Sequence, residues 1–369
     1  MSLDNAGLGR YSQELIKHLL PLSKNKFKFI LLVLPNTKFS LELKEVIKNY
    51  QSIIEVIEYD ARHYSLKEQT SLKKLLSEIK PDLVHFTNLN HPVLYKGKFV
   101  VTIHDLTLFQ FSERAGVLKK LAYNFVIKKA AQNSEKIFTV SEYAKGQIVQ
   151  KFSLDKKKVV VTYNGIDEKF KKITNPRVLE KIGKYGLDKP YFLYVGQWRS
   201  HKNLLTLVKA YKKFLDKGYA GKVDLTFCGK IDPKYPELIE EIKKLDMARS
   251  VKLIGFVPDE DLPVIYNNAL AFVFPSYSEG FGLPALEAQA CSVPVISAES
   301  TSLPEVLGDG ASFFNPSSSN DLAKKMLNIA EDDGLRNKLI DRGLENIKRF
   351  SWEKTAEKTL EVYRELLYK

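Results

Sequence analysis

The sequence of 369 residues predicts an α/β protein made of two doubly wound, Rossmann-like domains that face each other across a cleft. Three observations lead to this fold class. The chain is too long for one ordinary hydrophobic core and long enough for two. Short apolar runs rich in β-branched and aromatic residues alternate with amphipathic helical patterns, which is typical of parallel sheets built from βαβ units. This alternation breaks once, over residues 168–190, and then restarts.

The composition indicates a soluble globular protein, with 44% hydrophobic and 27% charged residues. No apolar run approaches the roughly 18 residues that a membrane-spanning helix needs, and no secretory signal opens the chain. The two cysteines, Cys228 and Cys291, lie in apolar surroundings. We expect two buried thiols and a reducing, cytoplasmic environment.

The charge is distributed unevenly along the chain. Residues 1–172 contain 29 Lys and Arg against 17 Asp and Glu, whereas residues 173–369 contain 28 against 27. The excess in the first half indicates either an anionic partner, such as a membrane surface, a lipid-linked phosphate or nucleic acid, or only a lysine-rich background. A nucleic acid is the least favoured of these partners, because the first half contains no recognisable reading module or aromatic platform.

The first half contains six predicted strands with amphipathic stretches between them. These strands are residues 27–34, 53–58, 82–86, 99–104, 136–140 and 158–163. A doubly wound domain normally opens with a strand that leads into its first loop. Only Met1 to Ala6 precede the glycine-containing segment Gly7 to Tyr11 (GLGRY), so we expect that first strand to be missing.

The second half repeats the pattern with six further predicted strands. These are residues 191–196, 223–228, 251–254, 270–274, 293–297 and 311–314. The last helical stretch carries an apolar stripe from Trp352 onward at helical spacing. We therefore expect an N-terminal domain of residues 1–168, joined by the C-terminal helix 352–369, and a second domain of residues 169–351. Residues 168–190, rich in Lys, Asn, Pro and Gly, are the predicted linker.

The segment Ser278 to Glu287 (SEGFGLPALE) has the strongest chemical character. It follows an apolar strand, and its two glycines allow backbone amides to approach a ligand closely. Pro284 suits the first turn of a helix, whose free N–H groups form a site for phosphate. Glu279 and Glu287 flank this site, and a carboxylate there can accept hydrogen bonds from a vicinal diol such as ribose. The pattern is compatible with a nucleotide sugar, and equally with a plain capped helix start.

The E-x7-E spacing of this segment resembles that of retaining glycosyltransferases with the GT-B fold, and most closely glycosyltransferase family 4. The similarity covers nearly the whole chain in order. It includes GLGRY at residues 7–11, TIHD at residues 102–105 and GQWRSHKN at residues 196–203, with Val140-Ser141-Glu142 and Asn164-Gly165-Ile166-Asp167 as further landmarks. The combination is most similar to bacterial mannosyltransferases of surface-polysaccharide synthesis.

The resemblance implies a role for each matching residue. Arg199 and Lys202 would hold the donor diphosphate, Glu279 would bind the transferred sugar and Glu287 the ribose. His104 would face the sugar or the acceptor; together with Arg199, Lys202 and Glu279 it would form the catalytic set. Backbone groups would complete the donor site: amides of Gly7, Leu8 and Gly9 would contact the diphosphate, and the turn Gly255-Phe256-Val257 would recognise the nucleotide base. The other donor-site residues are Gly196, Gly280, Phe281, Gly282 and Leu283.

The resemblance also implies the reaction, a transfer of a hexose from a nucleoside diphosphate sugar to a glycan or lipid-linked acceptor with retention at the anomeric carbon. Mannose from GDP-mannose is the favoured donor, and UDP-glucose or a UDP-N-acetylhexosamine stays open. A front-face route needs no enzymic nucleophile; the alternative needs a carboxylate, for which Asp105 is the nearest and a poorly supported candidate. A GT-B epimerase or phosphorylase and a catalytically silent nucleotide- or glycan-binding protein are the other classes.

Neither a metal nor a cofactor is expected. The acidic trio Asp259-Glu260-Asp261 follows Pro258 and opens a helical stretch, so we interpret it as a helix start rather than a metal site. The six histidines and two cysteines show no zinc spacing. We predict a cytoplasmic enzyme that contacts the inner face of the plasma membrane peripherally.

Overall fold

The computed structural model of the chain describes residues 6–24, 26–60, 66–107 and 117–368. It separates into two compact units. The first contains the chain up to Gly165 together with the part from Phe350 onward, and the second contains Ile166–Arg349. The first unit ends at Gly165 and resumes at Phe350. The sequence patterns predict these boundaries at residues 168 and 352, within three residues of the observed ones.

Twelve strands are found in the described residues, at the places where the apolar runs predict them. They are β1 (Phe29–Val33), β2 (Ile54–Glu58), β3 (Val84–Phe86), β4 (Phe99–Thr102), β5 (Lys136–Thr139), β6 (Val159–Val161), β7 (Tyr191–Val195), β8 (Asp224–Cys228), β9 (Val251–Gly255), β10 (Ala271–Phe274), β11 (Val295–Ala298) and β12 (Ala311–Phe314).

The helices of the same residues lie mostly between these strands. They are α1 (Ala6–Leu22), α2 (Leu41–Asn49), α3 (Leu66–Ile79), α4 (Val117–Asn133), α5 (Glu142–Phe152), α6 (Pro176–Leu179), α7 (Leu204–Phe214), α8 (Glu237–Lys244), α9 (Leu262–Asn267), α10 (Leu283–Ala290), α11 (Leu303–Leu307), α12 (Ser319–Glu331), α13 (Asp333–Ile347) and α14 (Trp352–Leu367).

The strands of the first unit form two parallel sheets, a pair β1-β2 and a four-stranded sheet in the order β3-β4-β5-β6. The residues for which we expected a missing first strand, up to position 5, lie outside the described part of the chain. Helix α14 packs on α1, as the apolar stripe on the last helix predicts. Tyr11 and Leu15 on α1 meet Trp352, Ala356 and Leu360 on α14, all of them buried, because i, i+4 spacing puts them on one helix face.

The second unit contains one six-stranded parallel sheet in the order β12-β11-β10-β7-β8-β9. Strand β7 therefore lies between β8 and β10, and the order reverses at β7. In doubly wound sheets the ligand site lies beyond the carboxyl ends of the strands at such a switch point. The α/β class with two parallel-sheet domains is thus confirmed.

The predicted linker over residues 168–190 is not a free connection, which corrects that expectation. It contains α6 and the 3-10 helix Glu180–Tyr185, and it belongs to the second unit. Asn267 holds it through two hydrogen bonds: the Ile173 N–H donates to Asn267 Oδ1 over 2.8 Å, and Asn267 Nδ2 donates to the Lys171 carbonyl over 3.0 Å. A turn-rich composition resembles that of a linker, but these side-chain bonds pack the segment against α9.

Cys228 and Cys291 are free and buried, as predicted. Burial raises the pKa of the Cys228 thiol to about 12, so the thiol stays protonated and inert at neutral pH. None of the helices in the described ranges combines the length and the apolar character needed to cross a bilayer.

Candidate functional site

Three glycines end neighbouring strands of the second unit and bring their carboxyl ends close together. Gly196 follows β7, and its N–H donates to the Cys228 carbonyl over 2.9 Å. The Gly229 N–H donates in turn to the Gly255 carbonyl over 2.8 Å. A Cβ on Gly229 would lie 2.1 Å from the Gly196 carbonyl oxygen, so no larger residue fits. The half-buried backbone after β7, β8 and β9 is therefore brought together at one edge of the sheet.

The loop after β7 carries the two predicted diphosphate cations. Trp198 is buried with 1% exposure and packs against Phe227, whereas the neighbouring Arg199 is exposed. Asn203 closes the loop: its Nδ2 donates to the carbonyls of Pro275 over 3.0 Å and Pro316 over 2.8 Å. A buried tryptophan and a bonded asparagine thus hold a short loop whose basic residues lie between them.

Lys202 forms an ion pair with Glu279, and this pair joins the loops after β7 and β10. Lys202 Nζ lies 2.6 Å from Glu279 Oε1, and the two side chains are only 17% and 13% exposed. The Tyr277 N–H also donates to the His201 carbonyl over 2.8 Å. Burial and the adjacent Lys202 ammonium lower the pKa of His201 to about 4, so His201 is neutral at pH 7. The structure thus brings together two of the predicted catalytic residues at the switch point.

The backbone of Glu279 is held on both sides by hydroxyl groups from the loop after β11. The Glu279 N–H donates to Thr301 Oγ1 over 3.0 Å, and Ser302 Oγ donates to the Glu279 carbonyl over 2.9 Å. Ser300 Oγ donates to the Ser276 carbonyl over 2.7 Å. These contacts determine where the Glu279 side chain begins. No sequence motif indicates these contacts, because Ser-Thr-Ser before Leu-Pro-Glu resembles an ordinary helix start.

The glycine-rich part of the E-x7-E segment leads into α10 as predicted. Gly282 precedes the helix with φ +104°, and a Cβ there would lie 2.8 Å from Leu303 Cδ2. The positive φ favours glycine, and a larger residue would also displace the Leu303 side chain. Gly280 and Phe281 are buried in the preceding turn, and Leu283 begins the helix. Pro284 has no N–H and the Ala285 N–H donates to the Gly282 carbonyl over 3.0 Å, so it is the positive end of the helix dipole that favours an anion here.

Glu287 lies inside α10 and is almost completely buried, with 4% exposure. Tyr266, on the facing helix α9, donates its hydroxyl to Glu287 Oε2 over 3.0 Å. Burial beside this carboxylate raises the pKa of Tyr266 well above its ordinary value, so the phenol stays a donor. No sequence motif marks Tyr266. The bond orients one carboxylate oxygen, and the predicted ribose contact of Glu287 stays a prediction.

The predicted base-recognition turn follows β9. Gly255 has φ +70°, Phe256 is 75% exposed and Val257 is buried. An exposed aromatic ring at the carboxyl end of a strand, beside a buried valine, presents both a ring face and backbone polar groups. The base-binding role of this turn is likewise a prediction that the structure leaves open.

The segment Gly7 to Gly9 differs from the expected loop, because it lies in the first turn of α1. Glycine lowers helix stability by about 1 kcal/mol relative to alanine. The buried face of α1 against α14 outweighs that cost. Leu8 is half-buried and Gly9 is buried. Amides in the first turn of a helix can still donate to an anion. The predicted diphosphate contact stays a prediction, now for the first turn of a helix rather than for a loop.

His104 lies after β4 in the first unit, at the carboxyl end of the strand. His104 Nε2 is 3.1 Å from the Thr87 carbonyl oxygen, and its ring centroid is 4.6 Å from that of Tyr11. Burial lowers the pKa of His104, so the imidazole is neutral at pH 7. The neighbouring Asp105 accepts the Thr107 N–H over 2.9 Å, so its carboxylate caps a turn.

The acidic trio at residues 259–261 is held by hydrogen bonds that we did not predict. Asp261 precedes α9 without capping it, because its Oδ2 accepts Lys184 Nζ over 2.5 Å and the Tyr185 hydroxyl over 2.6 Å. Asp259 pairs with Lys169 at 3.4 Å. The trio therefore precedes a helix as predicted, and two of its side chains also bond to the preceding segment. The described residues contain no group of three or more His, Cys, Asp or Glu placed to hold a metal ion.

Comparisons with known proteins identify the family of the chain. Residues 6–170 match the family model described as Glycosyltransferase Family 4, and residues 179–346 match the one described as Glycosyl transferases group 1. Over 290 residues the chain is 30% identical to the O-antigen chain mannosyltransferase B of Escherichia coli, covering 78% of this chain and 76% of that protein. It is 28% identical to the O-antigen chain mannosyltransferase RfbU of Salmonella typhimurium, covering 71% and 68%.

Solved structures show the same fold. A glycosyltransferase of Rickettsia africae superposes with a TM-score of 0.71 at 20% identity, covering 96% of this chain and 94% of that one. The Anabaena protein HepE, in complex with UDP and glucose, superposes with a TM-score of 0.75 at 17% identity, covering 97% and 95%. The chain therefore belongs to glycosyltransferase family 4 and is a nucleotide-sugar-dependent hexosyltransferase with the GT-B fold.

Proposed function

We propose that this enzyme transfers mannose from GDP-mannose to a glycan or lipid-linked acceptor, with retention at the anomeric carbon. The observation that carries the donor class is the Lys202–Glu279 pair beside the N-terminus of α10. A cation for a diphosphate and a carboxylate for sugar hydroxyls lie 2.6 Å apart there, at the switch point of the sheet. Arg199 on the same loop adds a second cation that is exposed to solvent.

The chemistry follows from these groups. The bond between the anomeric carbon and the diphosphate oxygen breaks, and a bond from that carbon to the acceptor oxygen forms on the same face. The acceptor proton passes to the leaving phosphate. Lys202, Arg199 and the positive end of the α10 dipole would stabilise the charge that develops on the diphosphate, the main electrostatic contribution in such a transfer. We propose that these groups act without a metal; loss of turnover in EDTA, restored by a divalent cation, would contradict this.

The choice of sugar rests on the relatives, two of which are described as O-antigen mannosyltransferases. UDP-glucose is the second candidate, because HepE was solved with UDP and glucose in a related fold. Release of nucleoside diphosphate should be measured with GDP-mannose, UDP-glucose and UDP-N-acetylglucosamine at equal concentration. The highest kcat/KM with GDP-mannose supports the proposal, and a preference for either UDP sugar overturns the donor assignment.

Lys202→Ala provides the accompanying site test. With the preferred donor in excess, it should lose turnover, whereas Lys212→Ala on α7 should retain it. Lys212 pairs with Asp216 in an exposed i, i+4 contact, so its removal changes the net charge equally without touching the site. Unchanged turnover in Lys202→Ala would refute its assigned role.

We further propose that the enzyme works on the cytoplasmic face of an anionic membrane and contacts it through α4. Leu121 and Phe125 on this helix are 59% and 54% exposed, which is unusual for large apolar side chains that lie one turn apart. Lys128 and Lys129 continue the same face, with the Lys129 ammonium 5.9 Å from the Phe125 ring centroid. Apolar side chains followed by lysines suit the interface of an anionic bilayer.

Sedimentation with liposomes tests this surface. We expect binding to vesicles containing phosphatidylglycerol and little binding to vesicles of phosphatidylcholine alone. Leu121→Gln with Phe125→Gln should abolish the difference, whereas Leu205→Gln on α7, also an exposed leucine at 39%, should preserve it. Equal binding of the wild type to both vesicle types would overturn the proposal.

A further inference from the structure

A chain of buried polar contacts connects the C-terminal helix with His104. The Tyr363 hydroxyl, on α14, lies 2.5 Å from His85 Nδ1, and His85 Nε2 lies 2.8 Å from Thr102 Oγ1. Thr102 Oγ1 lies 3.2 Å from the Tyr11 hydroxyl. The Tyr11 ring then meets the His104 ring at 4.6 Å and at a right angle. Each link is within the first unit, and Tyr11 and Thr102 are fully buried.

The bond between His104 and Thr87 determines which ring nitrogen carries the proton. A backbone carbonyl only accepts, so His104 Nε2 must donate to the Thr87 oxygen at 3.1 Å. Burial lowers the pKa of His104 and keeps the ring neutral, although the bond to Thr87 and the charge of Asp105 oppose this effect, so Nδ1 has no proton. His104 Nδ1 is therefore a hydrogen-bond acceptor, and a sugar hydroxyl is the kind of donor that it would accept.

Two adjacent residues of α1 hold the two partners of this bond. Tyr11 lies against the His104 ring. Ser12 Oγ lies 2.9 Å from Thr87 Oγ1, and Thr87 is the residue whose carbonyl accepts the His104 hydrogen bond. Ser12 is 1% exposed and Thr87 is 8% exposed. A rotation of the His104 ring by half a turn would exchange Nε2 for a carbon and lose the bond to Thr87, and the perpendicular Tyr11 ring obstructs that rotation.

We propose that Tyr11 and Ser12 are positioning residues that fix His104 as the Nε2–H tautomer, so that Nδ1 accepts a hydroxyl of the sugar donor or acceptor. The contacts of Tyr11 through Thr102 and His85 extend this support to α14. The inference rests on the proposed sugar-facing role of His104 and adds its tautomer and the residues that determine it.

Nitrogen-15 NMR of histidine-labelled protein tests the tautomer without any substrate. The chain has six histidines, and the His104→Gln variant assigns the resonances of His104 by their disappearance. At pH 7.5 the wild type should show a protonated Nε2 and an unprotonated Nδ1. A protonated Nδ1 with an unprotonated Nε2 would overturn the proposal. This measurement is independent of donor turnover, so it also stands if the enzyme uses none of the donors tested.

Variants on α1 test the positioning. Tyr11→Leu and Ser12→Ala should each give a mixture of tautomers, and each should lower kcat/KM about tenfold to hundredfold, as a misplaced reacting group does. Tyr11→Phe keeps the ring against His104 and should retain the single tautomer and kcat/KM within about fivefold. The control is Leu19→Ala, which removes a buried side chain from the same face of α1 without contacting His104.

The outcomes separate positioning from loss of stability. Leu19→Ala should lower the melting temperature but leave the His104 tautomer and kcat/KM unchanged. If Tyr11→Leu and Ser12→Ala behave as Leu19→Ala does, the proposal is overturned. If Tyr11→Leu does not fold, Ser12→Ala decides, because it removes only one hydroxyl. If the tautomer changes as expected while the wild type shows no glycosyl transfer, the positioning stands and the proposed function fails.

Discussion

The Lys202–Glu279 ion pair predicts that Glu279→Gln will bind a free nucleoside diphosphate more tightly than the wild type. The pair lies at 2.6 Å with little exposure, so the gross Coulomb attraction is about 6 kcal/mol at an effective dielectric constant of about 20. Desolvation offsets most of this, and hydrogen bonds to charged groups contribute about 1.5–3 kcal/mol net. A diphosphate that binds Lys202 must compete with that internal partner.

Glutamine keeps the shape of Glu279 but removes its charge, so Lys202 becomes available and a repulsion with the diphosphate disappears. A gain of about 1 kcal/mol corresponds to about fivefold tighter binding. Lys202→Ala should instead weaken binding by about 1.5–3 kcal/mol, or about tenfold to hundredfold. Sugar transfer should fall in both variants, because Glu279 is the proposed sugar-binding carboxylate.

Isothermal titration with GDP and with UDP measures both effects. Lys212→Ala is the control for net charge, and its affinity should equal that of the wild type. Unchanged or weaker binding in Glu279→Gln would refute the idea that Glu279 competes with the diphosphate for Lys202. An affinity of Lys202→Ala equal to that of the wild type would show that the diphosphate does not bind at Lys202.

Three further predictions concern buried polar contacts within the two units. Tyr266→Phe should destabilise the protein by about 1 kcal/mol in urea unfolding, since it removes the donor to the buried Glu287; unaltered stability would contradict the bond. Thr301→Val removes the acceptor of the Glu279 N–H and should lower kcat while the melting temperature shifts by no more than about 2–4 °C; wild-type kcat would show that the bond has no positioning effect. Burial, followed by the repulsion that would arise if His85 and His104 were both protonated, lowers the pKa of His85 to about 3, below its unfolded value of about 6.5. The unfolded chain therefore binds the proton more readily, and stability should fall by about 1.4 kcal/mol per pH unit as the pH drops below about 6.5 toward about 3. His85→Gln should flatten this slope in pH-dependent unfolding, and an unchanged slope would assign it to other groups.

Local sequence patterns were sufficient to predict the strands, the restart of the alternation and the position of the E-x7-E segment. The reason is physical: a buried parallel strand needs a short apolar run, and the first turn of a helix favours a residue such as Pro284. Gly196 and Gly282 were recognisable because glycine adopts the positive φ that both positions have. These requirements act within a few residues of the chain.

The sequence by itself therefore determined the fold class, the family resemblance and the two loops that carry Lys202 and Glu279. Only the tertiary structure decided that these two residues pair, that Thr301 holds the Glu279 backbone, and that Tyr11 packs against His104. Such contacts join residues far apart along the chain, and nothing in their local surroundings indicates their partner. They arise because parallel strands bring their carboxyl ends to one edge of a sheet, where the order of strands, and not the order of residues, decides which side chains meet.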